Sequence, residues 1–335
     1  MPCLCAWKGS WLKKPFDPEK DLASEAFASG NGIEMSELLN LEVTIFLLIT
    51  VGVLLKRIHI IGAEGQKNIT DLVIYVVLPC NIITSFLKGM TQDTLRDCVA
   101  ILLISVGIQI FGVIYGKLLY RKQPEDHRKS LTYGIICSNA GFLGNPIAEG
   151  VFGATGLMYA SVYLIPQRIM MWSEGLAIYS GDKDPKGTLK KVVTHPCVLA
   201  CVFGIVLMIT GVKLPSVILT PVSTLGRCNT ALSMLVIGMI LADIDLKTML
   251  DRTVVLYTIN RLVVIPLIVY AVCLLLPVSP MVRGVSVLLA AMPAGATTSM
   301  LALKYRRDPE FATSLVVFST LCSIPAILVW SMILK

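Results

Sequence analysis

Charged residues are scarce in this chain, at 15% of its 335 residues, whereas a soluble domain carries roughly 25%. Histidine is scarcer still: His59, His127 and His195 are the only three, and all fall between apolar runs. No metal-ligand motif, nucleophile elbow or phosphate-binding loop occurs, so no catalytic residue, metal or cofactor is expected and the chain does not read as an enzyme. An intramembrane hydrolase would need a catalytic dyad, which is also missing. The first 34 residues lack an apolar core of signal-peptide length. The ten cysteines have neither zinc-ligand spacing nor a compact disulfide framework, and read as small buried hydrophobes. The net charge of +7 is spread over short loops rather than gathered on an aromatic-rich face, which argues against a nucleic-acid partner.

What is abundant is apolar sequence, 55% of the residues, with a mean hydropathy of +0.75. The reading is an all-α integral membrane protein whose main partner is the lipid bilayer. A spanning helix needs about 20 mainly apolar residues, and about ten such segments fit, near 41–55, 69–87, 97–119, 130–150, 155–179, 194–212, 216–242, 253–276, 283–304 and 310–334. Seventeen basic residues border the loops after odd-numbered spans and four those after even-numbered ones. The positive-inside rule then places the odd loops in the cytoplasm and both termini outside, in the plasma membrane. Residues 1–34 mix Trp, Pro and charges. They are expected to be a non-native extension with Met35 as initiator, or a disordered extracellular tail.

Two apolar stretches, 131–146 and 285–299, are interrupted near their middles by proline, glycine and small polar residues. A helix broken inside a bilayer leaves backbone groups unpaired, so it persists where it lines a cavity within the protein. A matched pair of such breaks points to a transporter's substrate site. Three local matches support internal duplication. Cys80-Asn81 with Ser85 parallels Cys228-Asn229 with Ser233; Asn139-Ala140-Gly141 parallels Pro293-Ala294-Gly295; and Tyr159-Ala160-Ser161 parallels Phe311-Ala312-Thr313. These divide the chain into halves at 35–180 and 192–335, joined by a cytoplasmic linker at 181–191. Five spans per half force opposite orientations, an inverted repeat with broken, crossing fourth and ninth helices.

Val77-Leu78-Pro79-Cys80-Asn81, the run from Ser138 through Gly144-Asn145-Pro146, Met171-Trp172-Ser173-Glu174-Gly175, Leu232-Ser233-Met234-Leu235 and Met292-Pro293-Ala294-Gly295 together resemble the auxin efflux carrier family, in its bacterial branch, from about Met35 to the end. The resemblance implies ten spans, an inverted repeat, a scaffold of spans 1, 2, 6 and 7, and a mobile transport domain of the others. It also implies an organic-anion cargo and distant kinship to bile-acid sodium symporters. Ala231 stands where many members have proline, and Asn145 where an apolar or aromatic residue is common.

The chemistry is expected at the breaks. Pro146 and Pro293 are expected to start second half-helices whose free N–H groups favour an anion, and Gly141, Gly144 and Gly295 to permit close backbone approach. Packing glycines beside ordinary proline kinks are the alternative. Arg168 and Arg261 lie well inside apolar runs, where an arginine usually faces a cavity or a partner; either could instead pair with Glu174 and only lock the bundle. Gln167 and Asn260 beside them add amides able to bind a carboxylate. With Asn139, Asn145 and Thr297 these residues form the expected substrate site, and Asn81 and Asn229 its scaffold side. Nearby hydroxyls could hold Na+, and Glu174 could carry H+, so coupling stays open. The expected function is an elevator-type carrier of mono- or dicarboxylates, with a homodimer as the possible assembly and a sodium-coupled symporter or a small-solute channel as the alternatives.

Overall fold

The computed structural model describes residues 35–87, 92–180, 190, 193–242 and 251–334, and the expected N-terminal extension and most of the linker lie outside them. All regular structure among the described residues is helical, and six helices are long and apolar enough to cross a membrane. In chain order the elements are α1 (Met35–Arg57), α2 (Ala63–Ser85), α3 (Gln92–Leu119), α4 (Glu125–Ile136), α5 (Asn145–Trp172) and α6 (Glu174–Ser180). There follow α7 (Pro196–Thr210), α8 (Ser216–Arg227), α9 (Asn229–Ala242), α10 (Arg252–Leu275), α11 (Pro280–Ala290), α12 (Thr297–Lys304) and α13 (Pro309–Ile333).

Three wide π turns interrupt this plan, at Val73–Val77 in α2, Ala140–Gly144 before α5 and Asn260–Val264 in α10. Each is followed by one residue and then a proline: Leu78-Pro79, Asn145-Pro146, Ile265-Pro266. The residue before the proline donates its N–H five positions back, to Val73, Ala140 and Asn260 respectively. A proline ring in a regular helix collides with the carbonyl four residues earlier. Widening the preceding turn moves that carbonyl aside, so the helix continues past proline at the cost of local irregularity.

Helix α5 folds back on itself. Gly153 has φ 66° and ψ −163°, and a methyl group on Gly156 would collide with the Ala148 carbonyl, although residues eight apart in a straight helix are about 12 Å away. The fourth and fifth expected spans therefore meet at this hairpin. α1 packs chiefly on α9, with Gly52 and Gly238 in backbone-to-backbone contact, the close approach that small residues permit between membrane helices. α2 packs on α7 and α8; α3 on α4, α5 and α11; and α13 on α4, α10 and α12. The outer faces expose large apolar side chains, among them Phe46, Leu47, Leu103, Ile110, Val217 and Leu267, a surface suited to lipid rather than water.

Candidate functional site

The two interrupted segments cross. Asn139 donates its backbone N–H to the Pro293 carbonyl at 2.8 Å, and Gly295 donates to the Cys137 carbonyl at 2.9 Å. Ser138 and Ala294 thus face each other as one antiparallel bridge, and four backbone groups freed by the helix ends satisfy one another. Glycine is required at 295, where a Cβ would sit 3.0 Å from the Cys137 oxygen. Gly144 likewise makes room, since a Cβ there would lie 2.7 Å from Leu289 Cδ2 and 3.2 Å from Met292 Cγ.

Side chains anchor each crossing strand. Gln167 donates from Nε2 to the Ser138 carbonyl at 2.7 Å and accepts from Ser138 Oγ at 3.1 Å. Ser319 of α13 accepts from the Ala294 N–H at 3.1 Å while donating to the Leu315 carbonyl at 2.7 Å. Thr297 accepts from Tyr133 Oη at 3.0 Å, and Thr320 and Ser323 donate to carbonyls of their own helix. These hydroxyls already serve protein groups.

Arg168 differs from all of these. It is 7% exposed, its Nη1 is buried without a hydrogen-bond partner, and no ion pair or hydrogen bond engages it among the described residues. Its Nη2 stands 3.9 Å from where a Cβ on Gly141 would be. Ala140, Gly141 and Phe142 open the second half-helix, and none donates to a carbonyl of another segment, as expected of first-turn amides. A guanidinium and a half-helix N-terminus thus converge on one spot. His195, Cys197 and Cys201, at the start of α7, lie within electrostatic reach of Arg168, so this spot borders a helix of the expected scaffold. Asn145 is fully buried with both amide atoms unpartnered, and Thr298 Oγ1 and Ser299 Oγ are unpartnered beside the second break.

The first break falls at Cys137, Ser138 and Asn139, and Pro146 lies in the first turn of α5, just after the π turn at Ala140–Gly144. Other expected residues are placed differently. Pro293 does not begin a half-helix: it lies in the extended stretch, and α12 starts at Thr297. Asn260 directs its amide to Tyr115 Oη at 2.6 Å and the Leu256 carbonyl at 2.8 Å, not toward the breaks. Arg261 is 3% exposed with Nε unpartnered. Glu174 binds Lys117 rather than either buried arginine. Asn229 accepts from Ser233 Oγ at 3.2 Å and leaves Nδ2 unpartnered.

Asn81 donates to Glu149 Oε2 at 2.9 Å, a contact the sequence reading missed. The carboxylate's place in an apolar run was the available signal. Asp97, also overlooked, accepts from Tyr159 Oη at 3.0 Å and Ser279 Oγ at 2.7 Å, tying α3 and α5 to the turn before α11.

Comparison with known proteins finds membrane transporters. The family described as membrane transport protein matches residues 39–331. An uncharacterized transporter of Methanothermobacter thermautotrophicus is 28% identical over 300 residues, covering 87% of this chain and 96% of its own length. A second uncharacterized transporter, from Methanocaldococcus jannaschii, is 25% identical over 299 residues, again with 87% and 96% covered.

Proposed function

The chain belongs to the auxin efflux carrier family of membrane transport proteins, and on that premise we propose that it is a secondary carrier of a small organic anion, a mono- or dicarboxylate. The supporting observation is Arg168, a buried guanidinium with no counter-charge among the described residues, set beside the opening turn of a half-helix at Gly141. An arginine keeps its proton at any cellular pH, and an uncompensated buried charge is costly. A carboxylate arriving there would accept charge-assisted hydrogen bonds from the guanidinium and from the Ala140 to Phe142 amides, each worth roughly 1.5–3 kcal/mol. Asn145 offers a further amide to the same cargo.

The proposed architecture is ten spans in two inverted halves. Two features support it: the antiparallel pairing of the breaks, and the anchoring of each by a side chain from the span that follows it, Gln167 in one half and Ser319 in the other. The packing of α1 on α9 and of α2 on α7 and α8 supports a scaffold against which α3 to α5 and α10 to α13 slide with the cargo held at the crossing. The basic odd-numbered loops favour a cytoplasmic position for the turn between α3 and α4.

Uptake into proteoliposomes from a mixed pool of carboxylates, with and without sodium or proton gradients, tests the reading. Saturable accumulation with counterflow of at least one carboxylate is expected. Accumulation of cations or neutral solutes alone overturns the anion assignment, and conduction without exchange overturns the carrier.

A further inference from the structure

Arg168 is one of two buried arginines, and the second has different surroundings. Arg261 is 3% exposed, in the π turn of α10, and its Nε finds no partner. The titratable groups that act on it most are Tyr257, Tyr163, Cys137 and Tyr120, with no carboxylate among them. Several described carboxylates are paired with other cations: Asp126 with Arg307, Asp308 with His127, Glu125 with Lys129 and Glu174 with Lys117.

Around Arg261 stand hydroxyls with nothing to donate to. Tyr257 Oη and Tyr120 Oη are both buried and unpartnered. Tyr257 lies four residues before Arg261, on the same helix face. Helical side chains lean toward the N-terminus, which carries the guanidinium back over the Tyr257 turn. The Tyr120 and Tyr257 rings are 6.4 Å apart between centroids. The Tyr257 hydroxyl presses so closely on Gly134 that a methyl group there would collide with it. A positive charge and two O–H donors, drawn from the end of α3 and from α10, lack an acceptor among the described residues.

We propose that Arg261, Tyr257 and Tyr120 form a second anion site, separate from the one at Arg168, that holds one small inorganic anion of chloride's size. A single spherical acceptor would satisfy the guanidinium and the hydroxyls together, which no one protein carbonyl does here. A carboxylate fits less well, because its carbon chain would have to enter a cluster whose members are almost wholly buried. Cys137, whose carbonyl completes the helix crossing, is within electrostatic reach of Arg261, so the bound anion would brace the crossing from behind. This goes beyond the carrier reading and does not rest on it.

The test is thermal unfolding of the purified full chain in detergent, at fixed ionic strength, with chloride replaced stepwise by gluconate. Chloride should raise Tm in a saturable way, and Arg168→Gln should leave that response intact. Arg261→Gln should abolish it. Tyr257→Phe and Tyr120→Phe, which keep ring volume, should each weaken the apparent chloride affinity by roughly 3- to 10-fold, the worth of one hydrogen bond. If chloride and gluconate are indistinguishable for the unmodified protein, or the tyrosine variants respond to chloride as it does, the site is refuted. A response to carboxylates instead of chloride, lost in the same variants, refutes it equally, because Arg261 then belongs to the cargo site.

Discussion

The two helix breaks meet at one crossing, yet they are built differently. The second, Met292 to Ala296, is shut away: Met292 and Ala294 are fully buried, the Ala294 amide is capped by Ser319, and the flanking carbonyl and amide are taken by the first break. The first, at Cys137 to Asn139, is followed by a π turn and left with polar groups to spare, namely Arg168, both atoms of Asn145, and the opening amides at Ala140 to Phe142. The second break satisfies its crossing backbone groups, as suits a fulcrum, and keeps only the Thr298 and Ser299 hydroxyls unpartnered beside it. The unmet guanidinium and amide groups at the first suit the receptor proposed above. The proposed inverted repeat would double the backbone device without doubling the chemistry placed on it.

The crossing itself is the place to strike hardest. Gly295→Val puts side-chain atoms where the Cys137 and Ser138 carbonyls stand, at 3.0 and 3.3 Å from the first added carbon. Both crossing hydrogen bonds then stretch, and a destabilisation of about 3 kcal/mol or more is expected. Tm and expression should fall together and transport should vanish. A variant with normal Tm would mean the breaks do not need each other.

Arg168→Gln sharpens the contrast between fulcrum and receptor. Removing an uncompensated buried charge should leave the fold as stable as before or more so, while the affinity for the carboxylate identified by uptake drops by roughly 1–3 kcal/mol. Ligand-induced thermal stabilisation of purified protein reads both quantities. A destabilised variant that still binds would make Arg168 a structural residue. The anchors give a smaller and opposite pattern. Ser319→Ala strands the Ala294 N–H, and Gln167→Leu strands the Ser138 carbonyl, each at about 1–2 kcal/mol of stability. Of these two, only the Gln167 variant, which adjoins Arg168 and holds the receptor strand, should also weaken binding.

Much of this was readable in advance, and the remainder was not for identifiable reasons. Interrupted apolar runs and mid-span arginines are local anomalies, visible without a fold. Family membership from near Met35 to the end is borne out by the match over residues 39–331. The first break falls near the middle of 131–146, where the interruption is visible in the sequence, but Pro146 is not what ends the first half-helix. In the structure Pro146 sits comfortably in the first turn of α5, and what ends α4 is pairing with a segment about 155 residues away. Asn260 looked like a neighbour of the site because it adjoins Arg261, but adjacent helical residues face different ways, and its partner is Tyr115 on α3. Glu149 was in plain view, and only its contact with Asn81 on α2 marks it as a bridge to the scaffold side.

The smallest effects come from the prolines, and they separate the breaks most finely. Pro293 lies in extended backbone with its carbonyl accepting from Asn139 at 2.8 Å. Alanine keeps that carbonyl, so Pro293→Ala should cost only the added freedom of the unfolded chain, about 0.4–1 kcal/mol, with no change in binding. Pro146→Ala acts through the π turn. The turn exists because the proline ring cannot tolerate the carbonyl four residues back; an alanine restores the N–H and lets the wide turn close to a regular one. Stability should move by less than about 1 kcal/mol, since a hydrogen bond gained offsets the unfolded-chain entropy gained. The register of Ala140 to Gly144 would shift all the same, moving Gly141 relative to the Arg168 guanidinium. Binding should therefore weaken in Pro146→Ala and hold in Pro293→Ala, read as ligand-induced thermal shift of the two variants side by side. Equal retention of binding in both would make the π turn a packing detail, and the receptor would reduce to Arg168 and the half-helix amides.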